Sequence, residues 1–224
     1  SVADASDTLT LASGAGTVIA TGNVDFNGCT LADNGNTITF SGTGDETLVP
    51  PSSASTITEL IINKNSGTFA VHTNALNTAK LTLTKAGGMT FNTGVTVSGT
   101  ADSSLSDSAG AGAITFNGKV DAAGAVVFAT TGTLTLGNDG TADVCTFTNG
   151  VSHTAGVTSL ACALVTTNSA VTFGSTSYGV TVAKDTSIST GSGTISFAGA
   201  VTGSGYALTL VSDATSSPAV LFGS

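Results

Sequence analysis

Ile114-Thr115-Phe116-Asn117-Gly118-Lys119-Val120 is the stretch from which the rest of the chain is read. It runs apolar, small polar, aromatic, then a turn residue and Gly. In an extended chain the first and third side chains point one way and the second the other. Asn and Gly then allow the backbone to bend. The same phrase returns as Val24-Asp25-Phe26-Asn27-Gly28, Ile38-Thr39-Phe40-Ser41-Gly42 and Met89-Thr90-Phe91-Asn92-Thr93-Gly94. Later copies are Cys145-Thr146-Phe147-Thr148-Asn149-Gly150, Val171-Thr172-Phe173-Gly174 and Ile195-Ser196-Phe197-Ala198-Gly199.

From Met89 onward the copies begin at Met89, Ile114, Cys145, Val171 and Ile195, a nearly regular spacing with one or two short strands between neighbours. Self-similarity of that period points to a solenoid with one coil per repeat. A β-sandwich would need longer alternating runs and two-residue hairpins, which the text does not offer. No Gly-free window places apolar residues at i, i+3, i+4 and i+7. The fold class is therefore all-β, a parallel β-helix of about nine or ten coils, roughly 45 Å long at the spacing of paired strands. Stacked copies predict an inward ladder of Ile38, Met89, Ile114, Cys145, Val171 and Ile195. A second inward ladder would hold Phe40, Phe91, Phe116, Phe147, Phe173 and Phe197, with Thr39, Thr90, Thr115, Thr146, Thr172 and Ser196 aligned outside.

Composition agrees. There are 29 Gly and 41 Thr among 224 residues, charged residues make up only 8%, and Arg is absent. Composition shifts nowhere, so residues 1–224 are read as one β-solenoid domain. Two stretches break the rhythm and are expected as loop excursions, residues 43–55, with Pro50-Pro51, and residues 98–112, rich in Ser, Gly, Asp and Ala. The formal charge of −9 disfavours nucleic acid and anionic membrane surfaces, which need clustered Lys and Arg. No apolar run is long enough to span a bilayer, so no membrane insertion is expected. Ser1-Val2-Ala3-Asp4-Ala5 reads as the start of a processed chain from which a signal peptide was removed.

Signals for chemistry are sparse. Cys29, Cys145 and Cys162 form no CxxC and have no His at ligand spacing. They are read as three buried thiols, or as one Cys145–Cys162 disulfide and a remaining thiol. Asp139 and Asp143 within Asn138-Asp139-Gly140-Thr141-Ala142-Asp143 carry oxygen ligands enough for a calcium candidate, but not the ligand ladder of an EF-hand. No other cofactor is expected. Ser41-Gly42-Thr43-Gly44-Asp45-Glu46 has the glycines of a phosphate loop without its Lys or following helix. His72 and His153 stand alone and are expected at the surface or at coil edges. Tyr178 and Tyr206 are expected as corner packing. With Lys64, Lys80, Lys85, Lys119 and Lys184 scattered, no catalytic constellation emerges, and the chain is not expected to be an enzyme.

The Gly112–Val120 phrase followed by Gly124-Ala125-Val126-Val127-Phe128 resembles the repeat of bacterial β-strand-repeat surface proteins, the filamentous-haemagglutinin and autotransporter-passenger type. Gly193–Val201 followed by Ala207-Leu208-Thr209-Leu210 does too. The resemblance runs from about residue 80 and implies a right-handed parallel β-helix, exported to the cell surface as an adhesin, filament or matrix component. This chain is far shorter than most such proteins and shows no export domain or membrane barrel. It reads as a processed subunit.

Three functions follow as expectations. The first is an extracellular structural protein whose copies stack end to end through strand-like ends, Leu9 and Leu11 at one and Val220, Leu221 and Phe222 at the other, because uncapped strand edges template pairing. The alternative is an adhesin that binds glycans or other cells through the two excursions. The third is an ice-binding protein, suggested by the outward Thr ladder.

Overall fold

The computed structural model describes residues 7–52, 55–85, 87–102, 104–108, 110, 112–203, 205–215 and 218–223. The expected processed start at Ser1–Ala5 lies outside them, as do Ser53, Ala54, Ser103, Ala109 and Ala111 of the two expected excursions. The described chain is all-β without a helix, and its strands stack in parallel as a β-solenoid of about nine turns. The length of a turn is set by pairs such as Thr17↔Thr37 and Val126↔Val151, each of which spans one full circuit. A typical turn visits three sheets in order.

The first sheet runs from Thr17–Ala20 through Thr37–Phe40 and Ile57–Asn63 to Leu105–Asp107. Beyond a seam, it continues from Val126–Phe128 to Val220–Phe222. The second is paired without interruption from Val24–Asp25 to Val201–Gly203. The third begins with Asp7–Thr10 on Cys29–Ala32. It resumes at Leu76, where the long strand Leu76–Lys85 turns from the third sheet into the first.

Parallel pairing in register places like positions one above another. On the second sheet Phe69, Met89, Ile114 and Leu134 form one inward column, and Val71, Phe91, Phe116 and Leu136 the next. These side chains are buried in one continuous core. Phe91 and Phe116 stack at 4.8 Å with an interplanar angle of 11°. Corners turn where the backbone reaches positive φ, as at Asn34 (52°) and Gly35 (81°), the residue types that tolerate it.

The expected ladders are real as columns but different in membership. Met89 and Ile114 share the second sheet with Phe91 and Phe116. Ile38 and Phe40, Val171 and Phe173, and Ile195 and Phe197 sit on the first sheet, and Cys145 and Phe147 on the third. The outward residues divide in the same way. The observed column on the second sheet is Thr47, Ala70, Thr90, Thr115, Thr135, Ser159, Thr181 and Thr202. The phrase marks any strand that ends at a corner, whichever sheet that strand belongs to. Ile114 is paired with Leu134 one turn on, so the next copy of the phrase, at Cys145, overshoots a full circuit and lands on a different sheet.

Neither expected excursion is simply a loop. Glu46–Val49 is a strand of the second sheet, with irregular backbone before it at Thr43–Asp45 and after it at Pro50-Pro51. Proline has no N–H to donate, and among the described residues the third sheet has no strand at this turn. In the other stretch, Leu105–Asp107 is a strand of the first sheet.

This alternation predicts unequal mutational costs. Phe116→Ala should lose about 3–5 kcal/mol in a denaturant titration, while Thr115→Ala, its neighbour facing out, should stay within about 0.5 kcal/mol. Equal losses would contradict the assignment of faces.

Candidate functional site

Among the described residues, the first and last rungs are each paired on one side only. In the last, Val220–Phe222 pairs on one side with Ile195–Phe197, and Phe222 stacks on Phe197 at 5.3 Å. Among the described residues no strand pairs with its other side; the inward Phe222 is 55% exposed, and the outward Leu221 49%. Val220, Leu208 and Leu210 pack against the core on one side only. In the first rung Ile19 is 65% exposed, Val18 is also exposed, and Leu9 and Leu11 are half-buried. All five residues expected at the ends therefore lie on terminal strands or, for Leu11, next to one.

Buried polar groups form two clusters that the sequence reading missed. His153 is fully buried, not at the surface. It takes the inward position that Phe173 and Phe197 hold in the turns above it. Its Nδ1 lies 2.8 Å from Thr158 Oγ1 and its Nε2 3.0 Å from the Thr130 carbonyl. A carbonyl only accepts, so Nε2 carries the proton and Nδ1 accepts from the Thr158 hydroxyl. Burial lowers the pKa of His153, against smaller opposing effects of the Thr130 carbonyl and Asp107. Asp107 is buried at the seam of the first sheet, and its Oδ2 accepts from the Ala129 and Thr130 N–H groups at 2.8 Å each. The second cluster joins Lys64 to Glu46 at 2.7 Å, both enclosed in the core. Parity was the available signal. Lys64 follows Leu60 and Ile62 on the inward face, Glu46 shares a face with Leu48, and His153 ends the apolar–polar–aromatic phrase.

The other expected sites fare differently. Asp143 Oδ2 accepts from the backbone N–H groups of Asn138 and Asp139, at 2.8 and 2.9 Å. Its carboxylate staples the excursion in the long strand Leu134–Phe147. Among the described residues no group of three or more His, Cys, Asp or Glu is placed to hold a metal. Cys145 and Cys162 are separate buried thiols rather than a disulfide. Cys145 pairs with Leu164, so Cys162 is its diagonal neighbour. Their hydrogen bond, together with burial, pushes the Cys162 thiol far up. The Cys29 thiol donates to the Phe26 carbonyl at 3.2 Å. His72 sits half-buried at a corner, its Nδ1 3.1 Å from Asn92 Nδ2. Among the described residues no helix is long and apolar enough to cross a membrane.

No protein-family model matches the chain, and comparison with curated proteins and with solved structures finds no match either.

The buried histidine makes stability pH-dependent in a definite direction. The unfolded chain takes up a proton at the ordinary histidine value near 6.5, and the folded chain only at a lower pH. The contribution of His153 is thus complete above about pH 6.5 and is lost as pH falls through its folded-state value. His153→Phe, which restores the aromatic found above it, should flatten the fall in thermal midpoint below about pH 6.5. An unchanged acid profile would place the titrating group elsewhere.

Proposed function

We propose that this chain is a structural protein whose copies stack end to end into a filament outside the cell, alike in kind to the filamentous-haemagglutinin and autotransporter-passenger solenoids. The observation that carries the reading is the open last rung, with Phe222 more than half exposed on an unpaired strand edge. Such an edge offers both backbone hydrogen bonds and apolar surface to another strand. A second copy supplies a matching one. Laid on the last rung, Thr17–Ala20 continues the first sheet and Asp7–Thr10 the third. Val18 and Ala20 are the inward residues of that first strand, as Val220 and Phe222 are of the last. The large Phe222 ring then meets the small Ala20. Chain order leaves one strand position open on the second sheet at each junction, so the join rests on the other two sheets. Head-to-tail contacts of this kind do not close and therefore grow.

Charge neither drives nor blocks this join. The two exposed ion pairs among the described residues, Lys80–Glu59 and Lys119–Asp121, lie within the rod. Backbone pairing and apolar burial are little screened by salt. Electron microscopy should show filaments with an axial repeat of about 48 Å, roughly ten strand levels at the spacing of paired strands. Replacing Leu221 and Phe222 together by Asp should leave single rods. One molar salt, which screens exposed charges beyond about 3 Å, should leave wild-type filaments intact. Filaments that dissolve in salt yet form normally in the double mutant would sink the proposal.

A second reading rests on the outward Thr and Ser column of the second sheet, a regular hydroxyl and methyl array suited to ordered water. Thr is also simply suited to an exposed β face. Thermal hysteresis that disappears in Thr115→Lys would favour ice binding, and its absence from the wild-type protein would end that reading.

A further inference from the structure

The enclosed pair of Glu46 and Lys64 is set up for a covalent step, independently of how the ends assemble. Lys64 Nζ donates three hydrogen bonds, to Gly42 O at 3.2 Å, Gly44 O at 2.7 Å and Glu46 Oε2 at 2.7 Å. All three ammonium protons are used. The carboxylate is less well served. Glu46 Oε1 is buried with no hydrogen-bond partner among the described residues, and it lies so close to Gly42 that a Cβ there would collide with it. A buried ion pair whose lone pairs are half unsatisfied is a poor way to hold two charges in an apolar core. Passing one proton from Nζ to Oε2 removes both charges. The freed amine lone pair then lies along the former hydrogen bond, toward Oε2, within reach of the carboxyl group. The two remaining N–H bonds stay anchored on the Gly42 and Gly44 carbonyls. Contact of this kind, held in one orientation, replaces an encounter by an intramolecular reaction.

We propose that Lys64 and Glu46 condense into an intramolecular amide. The Nζ lone pair attacks Glu46 Cδ and forms the new N–C bond. The carboxyl C–OH bond breaks, and the hydroxyl leaves with one amine proton as water. The other oxygen remains as the amide carbonyl, and Nζ keeps one hydrogen, which stays on a glycine carbonyl. Nothing is oxidised or reduced, and no co-reactant is consumed. The neutral product dispenses with the under-solvated carboxylate.

The position gives the bond a purpose. It joins residues 18 apart in sequence, closing a loop around the turn that holds Pro50 and Pro51. Among the described residues the third sheet contributes no strand at that turn. Closing a loop covalently restricts the unfolded chain.

Intact-mass measurement of the folded, then denatured, full chain decides the matter. The wild-type protein should be lighter than its sequence by one water, and proteolysis should yield a branched peptide joining Glu46 to Lys64. Lys64→Arg, which keeps the charge but cannot form this amide, should have its full sequence mass and a lower thermal midpoint. A folded wild-type chain at full sequence mass overturns the proposal. So does a Lys64→Arg chain that has also lost water, since the loss then lies elsewhere.

Discussion

Parallel hydrogen bonding between successive turns, residue on matching residue, is the constraint on which everything else here depends. Once Thr90 is paired with Thr115 and Phe91 with Phe116, the inward and outward faces are fixed for every strand above and below, because a slip by a single position would turn each core side chain to solvent. Turn length is free to vary only at the corners. That is why the circuit from Thr17 to Thr37 can be shorter than the one from Val126 to Val151 while the columns keep their alignment. Columns of like residues follow from the same pairing, and with them stacked pairs such as Phe91 on Phe116 and Phe197 on Phe222.

Charged and polar side chains have moved inside where first-sheet strands turn toward the second sheet. Glu46 and Lys64 meet in the turn between Thr37–Phe40 and Glu46–Val49, where Lys64 donates to the Gly42 and Gly44 carbonyls. The first sheet has its seam between Leu105–Asp107 and Val126–Phe128. There the Asp107 carboxylate accepts two backbone N–H groups from the neighbouring turn, and the Thr130 carbonyl is taken by His153. A buried backbone group must find a partner somewhere. At the seam, side chains supply what the missing strand pairing does not. Each such residue is costly to bury alone. In both clusters the buried charge faces backbone groups: Lys64 the Gly42 and Gly44 carbonyls, and Asp107 the Ala129 and Thr130 N–H groups.

Strand identity and face were legible in the sequence because both are local properties. Apolar, polar, aromatic, then Gly or Asn defines a short strand and the corner after it, and seven such copies make a solenoid the economical arrangement. Phase around the axis was not legible in the same way. It depends on how many residues each corner absorbs, and corners of Ser, Gly and Asn carry no fixed length in their composition. The assignment of Phe91, Phe147 and Phe173 to one ladder failed for this reason. Lys64, Glu46 and His153 were overlooked for a different one. Charge and polarity outweighed parity in the reading, although Lys64 stands two positions after Ile62 and His153 two after Val151, each in step with the buried side of its strand.

The pairing that holds the rungs together does not distinguish a rung of the same chain from a rung of another. What usually prevents misuse of an open edge is local decoration: charged side chains, proline, or a bulge that twists the strand away. The described last rung carries little of this. Residues 144–224 hold only three charged side chains, Lys184, Asp185 and Asp213, none of them in Val201–Gly203, Leu208–Val211 or Val220–Phe222. The outermost strand instead presents Leu221 and Phe222, while a formal charge of −9 over the whole chain keeps free rods apart at long range. In the proposed filament, repulsion between whole rods and adhesion at their ends would act over different distances. Ordinary salt would weaken only the first, so head-to-tail contact between rungs would be what remains once two ends had met.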